Sequence, residues 1–158
     1  MGRLQSLAIA LAGLVVSTGL AYPACAPDRV DIRGDFGSAR FSVELAVTPQ
    51  EQARGLMFRD SMPKMDGMLF LYAQARDVSF WMRNTLIPLD MLFIDAEGRV
   101  LRVHANAVPL DETPINAGGP TIAVLEINGG LAETLGIEAG AEVRSPALPQ
   151  ENAAWPCD

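Results

Sequence analysis

Phe41-Ser42-Val43-Glu44-Leu45-Ala46-Val47-Thr48-Pro49-Gln50-Glu51 changes its period half-way, and that change sets how the rest of the chain reads. Residues 41–47 alternate apolar and polar, the pattern of a strand with one face buried. Thr48 then offers a hydroxyl N-cap, Pro49 fits the first helical position, and Glu51 stands where a capping box needs an acid. This short helix carries Ala53 and Arg54 and is expected to end between Gly55 and Phe58. Upstream, residues 29–33 alternate as well and meet Gly34, so they pair with 41–47 as a hairpin across a turn at 34–38.

Further strands are read at 68–72, 78–82, 89–94, 99–107, 121–127 and 142–144. A loop at 61–67 is broken by Pro63 and by Asp66-Gly67, and Arg83-Asn84-Thr85 forms a turn. Asp95-Ala96-Glu97-Gly98 joins a hairpin whose glycine suits the left-handed position. Residues 108–120 hold three prolines and adjacent glycines and read as a long surface loop. Residues 131–135 form a second short helix closed by Gly136. Strands outnumber helices and do not alternate with them. The expectation is mainly β: a single jelly-roll-like β-sandwich or barrel with two short helices, over residues 29–145.

The first two dozen residues read as a secretory signal peptide. Arg3 supplies the positive start, residues 4–20 carry no charge, and residues 7–16 form the apolar stretch. Gly19-Leu20-Ala21 fits the cleavage rule, which gives a leader of 1–21, and Ala24-Cys25-Ala26 is a second site. The apolar run is shorter than the ~20 residues of a spanning helix, and no later segment is long enough to cross a membrane. Residues 22–28 read as a linker and 146–158 as a Pro/Ala-rich tail. The expected location is periplasmic or secreted.

The whole chain carries a net charge of −7, and losing Arg3 makes the mature chain more acidic still. That balance argues against nucleic acid or anionic lipid as partners. The two cysteines, Cys25 and Cys157, lie at opposite ends of the mature chain. In an oxidising compartment they can staple the termini together. Cleavage after Ala26 would instead discard Cys25, and free thiols in flexible ends are the other alternative.

Much chemistry is absent. His104 is the one histidine, so a zinc site of imidazoles and thiolates is not available. No serine sits in a nucleophile elbow, and no phosphate loop or dinucleotide fingerprint occurs. No cofactor is expected. The densest unusual segment is Val78-Ser79-Phe80-Trp81-Met82-Arg83-Asn84-Thr85-Leu86-Ile87-Pro88-Leu89-Asp90. It could form one rim of a cleft, with Trp81 and Met82 as an apolar wall and Arg83, Asn84, Thr85 and Asp90 fixing a polar ligand. The structural alternative puts Trp81 and Met82 in the core and leaves the polar residues to bond the turn.

Arg54-Gly55-Leu56-Met57-Phe58-Arg59, Gly67-Met68-Leu69-Phe70, Phe80-Trp81-Met82-Arg83-Asn84-Thr85-x-x-Pro88-Leu89-Asp90 and Val124-Leu125-Glu126-Ile127 together resemble the DUF192 family, over about residues 29–145. The resemblance implies a mostly β, jelly-roll-like domain that is often exported. It implies no reaction, because the family is uncharacterised. Arg83 stands where many relatives carry lysine, so that position asks for a cation, and His104 matches no motif. Arg54, Asn84, Asp90 and Glu126 come from separate segments yet recur in the signature, which turn geometry alone would not require.

Four functions are consistent with these residues. One is a binding module for a small polar ligand such as an envelope saccharide, using Arg54, Trp81, Met82, Arg83, Asn84, Thr85, Asp90 and Glu126. A second is a hydrolase with Asp90 and Glu126 as its carboxylate pair, which requires both carboxyls on one side of the sheet at about 5–10 Å. A third is Cu(I) binding by Met62, Met65 and Met68, whose spacing suits thioether ligation. The fourth is an accessory protein that acts through a surface groove.

Overall fold

A computed structural model describes residues 25–157; the expected leader over 1–21 and its cleavage site after Ala21 lie outside the described residues. The chain runs β1 (Arg29–Gly34), β2 (Gly37–Ala46), α1 (Pro49–Arg54), β3 (Asp66–Arg76), β4 (Ser79–Phe80), β5 (Leu89–Ile94), β6 (Val100–Ala107), β7 (Ile115–Asn116), β8 (Thr121–Asn128), α2 (Leu131–Leu135) and β9 (Glu142–Arg144). Among the described residues the fold is mainly β with two short helices, in line with the patterning. Seven strands form one sheet in the order β6-β5-β8-β3-β2-β1-β9, and β4 and β7 form a separate ribbon.

β2 and β3 are parallel neighbours, and α1 lies on the connection between them. Its start is the capping box expected at Thr48: the Glu51 amide donates to the Thr48 hydroxyl at 3.3 Å, and the Thr48 amide donates to the Glu51 carboxylate at 2.9 Å. All other strand pairs are antiparallel. The sheet curls until its edges meet. Arg99, just before β6, bridges Glu142 of β9, and the Val100 amide donates to the Ala141 carbonyl at 2.9 Å. The result is a half-barrel.

Strand alternation divides the apolar residues between two cores. Val30, Ile32, Phe41, Val43, Leu69, Leu92, Leu125 and Val143 pack together, and contacts spanning strands from β1 and β9 to β5 are possible only inside the curl. Met68, Phe70, Leu89, Met91, Phe93 and Val124 project from the outer face. Leu56, Val78, Met82, Ile87 and Ile115, from the crossing connections, cover them.

Two sequence expectations change. The strand read at 78–82 is confined to Ser79–Phe80, because its partner is the two-residue β7 inside the expected long loop. The strand read at 68–72 runs on to Arg76, with a register shift between Leu71 and Arg76 where it pairs with β8. The C-terminal segment is packed onto the domain: Leu148 and Trp155 are buried, and the Trp155 ring has the Arg33 and Arg144 guanidiniums at 4.4 and 4.3 Å. Cys25 and Cys157 form a disulfide.

Candidate functional site

Where α1 ends, the chain turns sharply at Gly55, whose φ of 48° favours a residue without a side chain. A Cβ there would also stand 3.1 Å from the Phe70 ring. This turn directs Arg54, Leu56 and Met57 over the outer face of β3 and β8. Together with Phe70, Tyr72 and Arg76 of β3, Ser79, Phe80 and Trp81 at the ribbon, Thr85 and Glu126, they line an open cleft of about 360 Å³.

Glu126 lies at the base of this cleft. Its partners across the ladders are Met68 on β3 and Met91 on β5, so thioethers flank it where a carboxylate would need donors. It is 4 % exposed, and burial alone, with no hydrogen bond from a described residue, acts on its carboxyl. Burial pushes its pKa up to about 8, so the acid form persists at neutral pH. Gly67 lets β3 come this close, since a Cβ at Gly67 would lie 2.5 Å from the Glu126 carbonyl oxygen.

The walls combine aromatic faces with cations. Phe80 meets Phe70 edge-on at 5.0 Å. The Arg76 guanidinium lies 4.5 Å from the Tyr72 ring centre. Burial raises the Tyr72 hydroxyl pKa and the Glu126 charge adds to this, while Arg76 opposes it. Trp81 is 46 % exposed at the rim. The Arg83 guanidinium backs its ring at 5.4 Å while facing Glu112 at 3.9 Å.

Of the residues singled out from the sequence, Arg54, Trp81, Thr85 and Glu126 line the cleft. Met82 is fully buried in the outer core. Arg83 supports Trp81 from outside the lining. Asn84 occupies the left-handed position of a turn closed by the Thr85 amide donating to the Met82 carbonyl at 3.0 Å. Its carbonyl accepts from the Phe58 amide at 2.8 Å, and its side-chain amide faces the Met57 sulfur at 3.9 Å. It therefore ties two rim loops together.

Asp90 requires a correction. It is fully buried on the inner face and accepts from the backbone amides of Asn106 (2.8 Å), Gly130 (2.9 Å) and Ala132 (2.7 Å). These bonds clamp the start of α2 to β5 and β6. Its register partner is Ile127, whereas that of Glu126 is Met91. The two carboxyls thus face opposite sides of the sheet, which the paired-carboxylate hydrolase does not permit.

The methionine series also fails to converge. Met65 packs on the inner core, while Met62 and Met68 belong to the outer one. His104 lies opposite Met91 on β6, outside the cleft, and burial and the neighbouring Arg102 hold its pKa down.

Sequence reasoning missed Tyr72 and Arg76. Tyr72 read only as the end of a strand, and Ala73-Gln74-Ala75-Arg76 has no strand signal, so nothing local marks Arg76 as part of a cleft.

A curled, mainly β half-barrel with a lateral cleft over one buried acid is the class that this fold and site define. The DUF192 family model, described as uncharacterized ACR, matches residues 30–145. The chain belongs to the DUF192 family. It is similar to a solved protein of unknown function from Novosphingobium aromaticivorans DSM 12444, with 48% identity and a TM-score of 0.72, covering 84% of this chain and 99% of that one. A second similar structure, from Sinorhizobium meliloti 1021, is of a protein proposed to be a transcription regulator; identity is 40%, the TM-score is 0.72, and 78% and 96% of the two chains are covered. No curated protein matches.

Proposed function

We propose that this chain is an exported binding domain, periplasmic or secreted, whose cleft takes a small polar ligand, and that a cell-envelope saccharide is the class best suited to it. The observation that carries this reading is Glu126, a buried acid without a hydrogen-bond partner at the floor of a cleft walled by Trp81, Phe80 and Tyr72. Among the described residues its carboxyl is not one of the fully enclosed groups without a partner, so it opens to the cleft, where a ligand can hydrogen-bond to it. Aromatic faces beside convergent polar groups suit the alternating apolar and hydroxylated faces of a sugar ring.

Export is supported by the leader-like first 21 residues and by the Cys25–Cys157 disulfide. No helix among the described residues is long and apolar enough to cross a membrane. Of the jelly-roll-like sandwich and the barrel, the barrel is the form we propose, supported by the meeting of β6 and β9 at Arg99 and Glu142. The regulator description of the Sinorhizobium protein is not carried over, because the net charge of −7 disfavours nucleic acid. An accessory role would use the same cleft.

Titration calorimetry against neutral and acidic envelope sugars tests the reading, with Trp81→Ala as the control. Saturable heat that disappears in Trp81→Ala is the expected result. No heat with any sugar, from a folded protein, overturns it.

A further inference from the structure

The polar lining of the cleft is unbalanced in charge. Arg33, Arg40, Arg59, Arg83, Arg99 and Arg144 each face a carboxylate within 4.0 Å. Arg54 and Arg76, the two cations of the cleft, face none among the described residues. Among the described residues, Glu126 is the only carboxyl in the lining, and neither guanidinium is hydrogen-bonded to it. In a chain with 19 acidic residues against 12 basic ones, a cleft with two guanidiniums and one buried carboxyl is locally cationic, opposite in sign to the whole.

We infer that the ligand of this cleft is an acidic sugar of the hexuronate type, its carboxylate held between the Arg54 and Arg76 guanidiniums and the acid proton of Glu126. The inference rests on the cleft being a saccharide site, and it adds the charge of the ligand. Guanidinium is the side chain best matched to a carboxylate, with two parallel N–H donors. A protonated carboxyl donates its O–H to an ionised oxygen more strongly than to a neutral hydroxyl. The carboxylate of the sugar would therefore satisfy Glu126 and both cations together, which a neutral sugar cannot do.

The surroundings of Glu126 give the interaction a pH limit. Tyr72 of β3 lies close enough to feel its charge, Arg76 of β3 and Arg54 at the end of α1 line the same cleft, and Met68 and Met91 on the adjoining strands are uncharged. The acid form needed for donation persists to a pH of about 8. Above that, an ionised Glu126 and an ionised ligand repel each other, so affinity should fall about tenfold for each further pH unit.

The test is calorimetry on the disulfide-bonded protein with D-galacturonate and D-glucuronate against D-galactose and D-glucose, at pH 6.5 and pH 9 in matched buffers. The expected result is at least roughly tenfold tighter binding of the acids at the lower pH, with most of the advantage lost at the higher pH. Glu126→Gln keeps a neutral donor and should bind the acids at both pH values. Arg76→Gln should weaken the acids by about tenfold or more, and more than it weakens the neutral sugars. Equal binding of acids and neutral parents overturns the inference while the saccharide site stands. Acid binding unaffected by pH and by Arg76→Gln overturns it too. No binding by any of the four sugars removes the saccharide reading and the inference together.

Discussion

Asp90 and Glu126 stand on adjacent antiparallel strands one register step apart, and that step places their carboxyls on opposite faces of the sheet. Asp90 faces inward, where three backbone amides surround it. Glu126 faces outward, where two methionines flank it and a cleft opens above. The same functional group therefore has two fates: an acceptor for three backbone amides on one face, and a neutral acid facing the cleft on the other.

Asp90→Ala should be among the most damaging single substitutions in the domain. It leaves the amides of Asn106, Gly130 and Ala132 without their acceptor, at about 1–3 kcal/mol for each buried donor. The loss expected in a urea titration is several kcal/mol, on the order of 4, with Asp90→Asn intermediate. A loss below about 1 kcal/mol would show that the clamp at α2 is not needed.

Glu126 should make the domain less stable as pH rises. Its unfolded-state pKa is near 4.5 and its folded-state value is about 8, so between them the native state holds one more proton than the unfolded chain. Stability then falls across that window and levels off above it. The loss is on the order of 5 kcal/mol. His104 acts the other way, destabilising as pH falls below its ordinary 6.5. The difference between wild type and Glu126→Gln isolates the effect, and a pH-independent difference in unfolding free energy from pH 5 to pH 8 would refute it.

Gly67→Ala probes the close approach of β3 and β8. Its Cβ would meet the Glu126 carbonyl at 2.5 Å, and backbone cannot move aside as a flexible side chain can. A loss of roughly 2–3 kcal/mol is expected, together with weakened ligand binding as β8 shifts. Wild-type thermal stability in this variant would mean that the two strands have room to separate.

Reducing the Cys25–Cys157 disulfide should lower stability without changing the cleft. The bond spans 132 positions in sequence, for which the chain-entropy model gives about 4–5 kcal/mol. Neither cysteine lines the cleft. Cys25→Ser/Cys157→Ser should thus melt earlier yet bind as wild type does, and lost binding by the folded double variant would contradict that separation.

The local signals in the sequence were faithful where structure is local. Thr48 and Glu51 marked the start of α1, Gly136 closed α2, and residues 89–94 form a strand throughout. The candidate site was legible only in part. Arg54, Trp81, Thr85 and Glu126 were singled out and meet in the cleft, whereas Asp90 was grouped with them although it faces the other way. Which face a residue takes depends on the register between β5 and β8, strands separated by more than twenty-five residues, and no turn fixes that register. Tyr72 and Arg76 were missed for a related reason: β3 continues past its apolar run because β8 pairs with it as far as Arg76 and Thr121, a tertiary effect with no local trace.

The covalent link between Cys25 and Cys157 has a mechanical consequence. The Cα atoms of these residues are 5.8 Å apart, so a pulling force applied at the two ends would pass through a sulfur–sulfur bond and bypass the strands. While oxidised, the half-barrel and its cleft carry no tensile load. Once reduced, the same pull would act first on the packed C-terminal segment and the short β9, peeling Trp155 from Arg33 and Arg144 before reaching the sheet that supports Glu126.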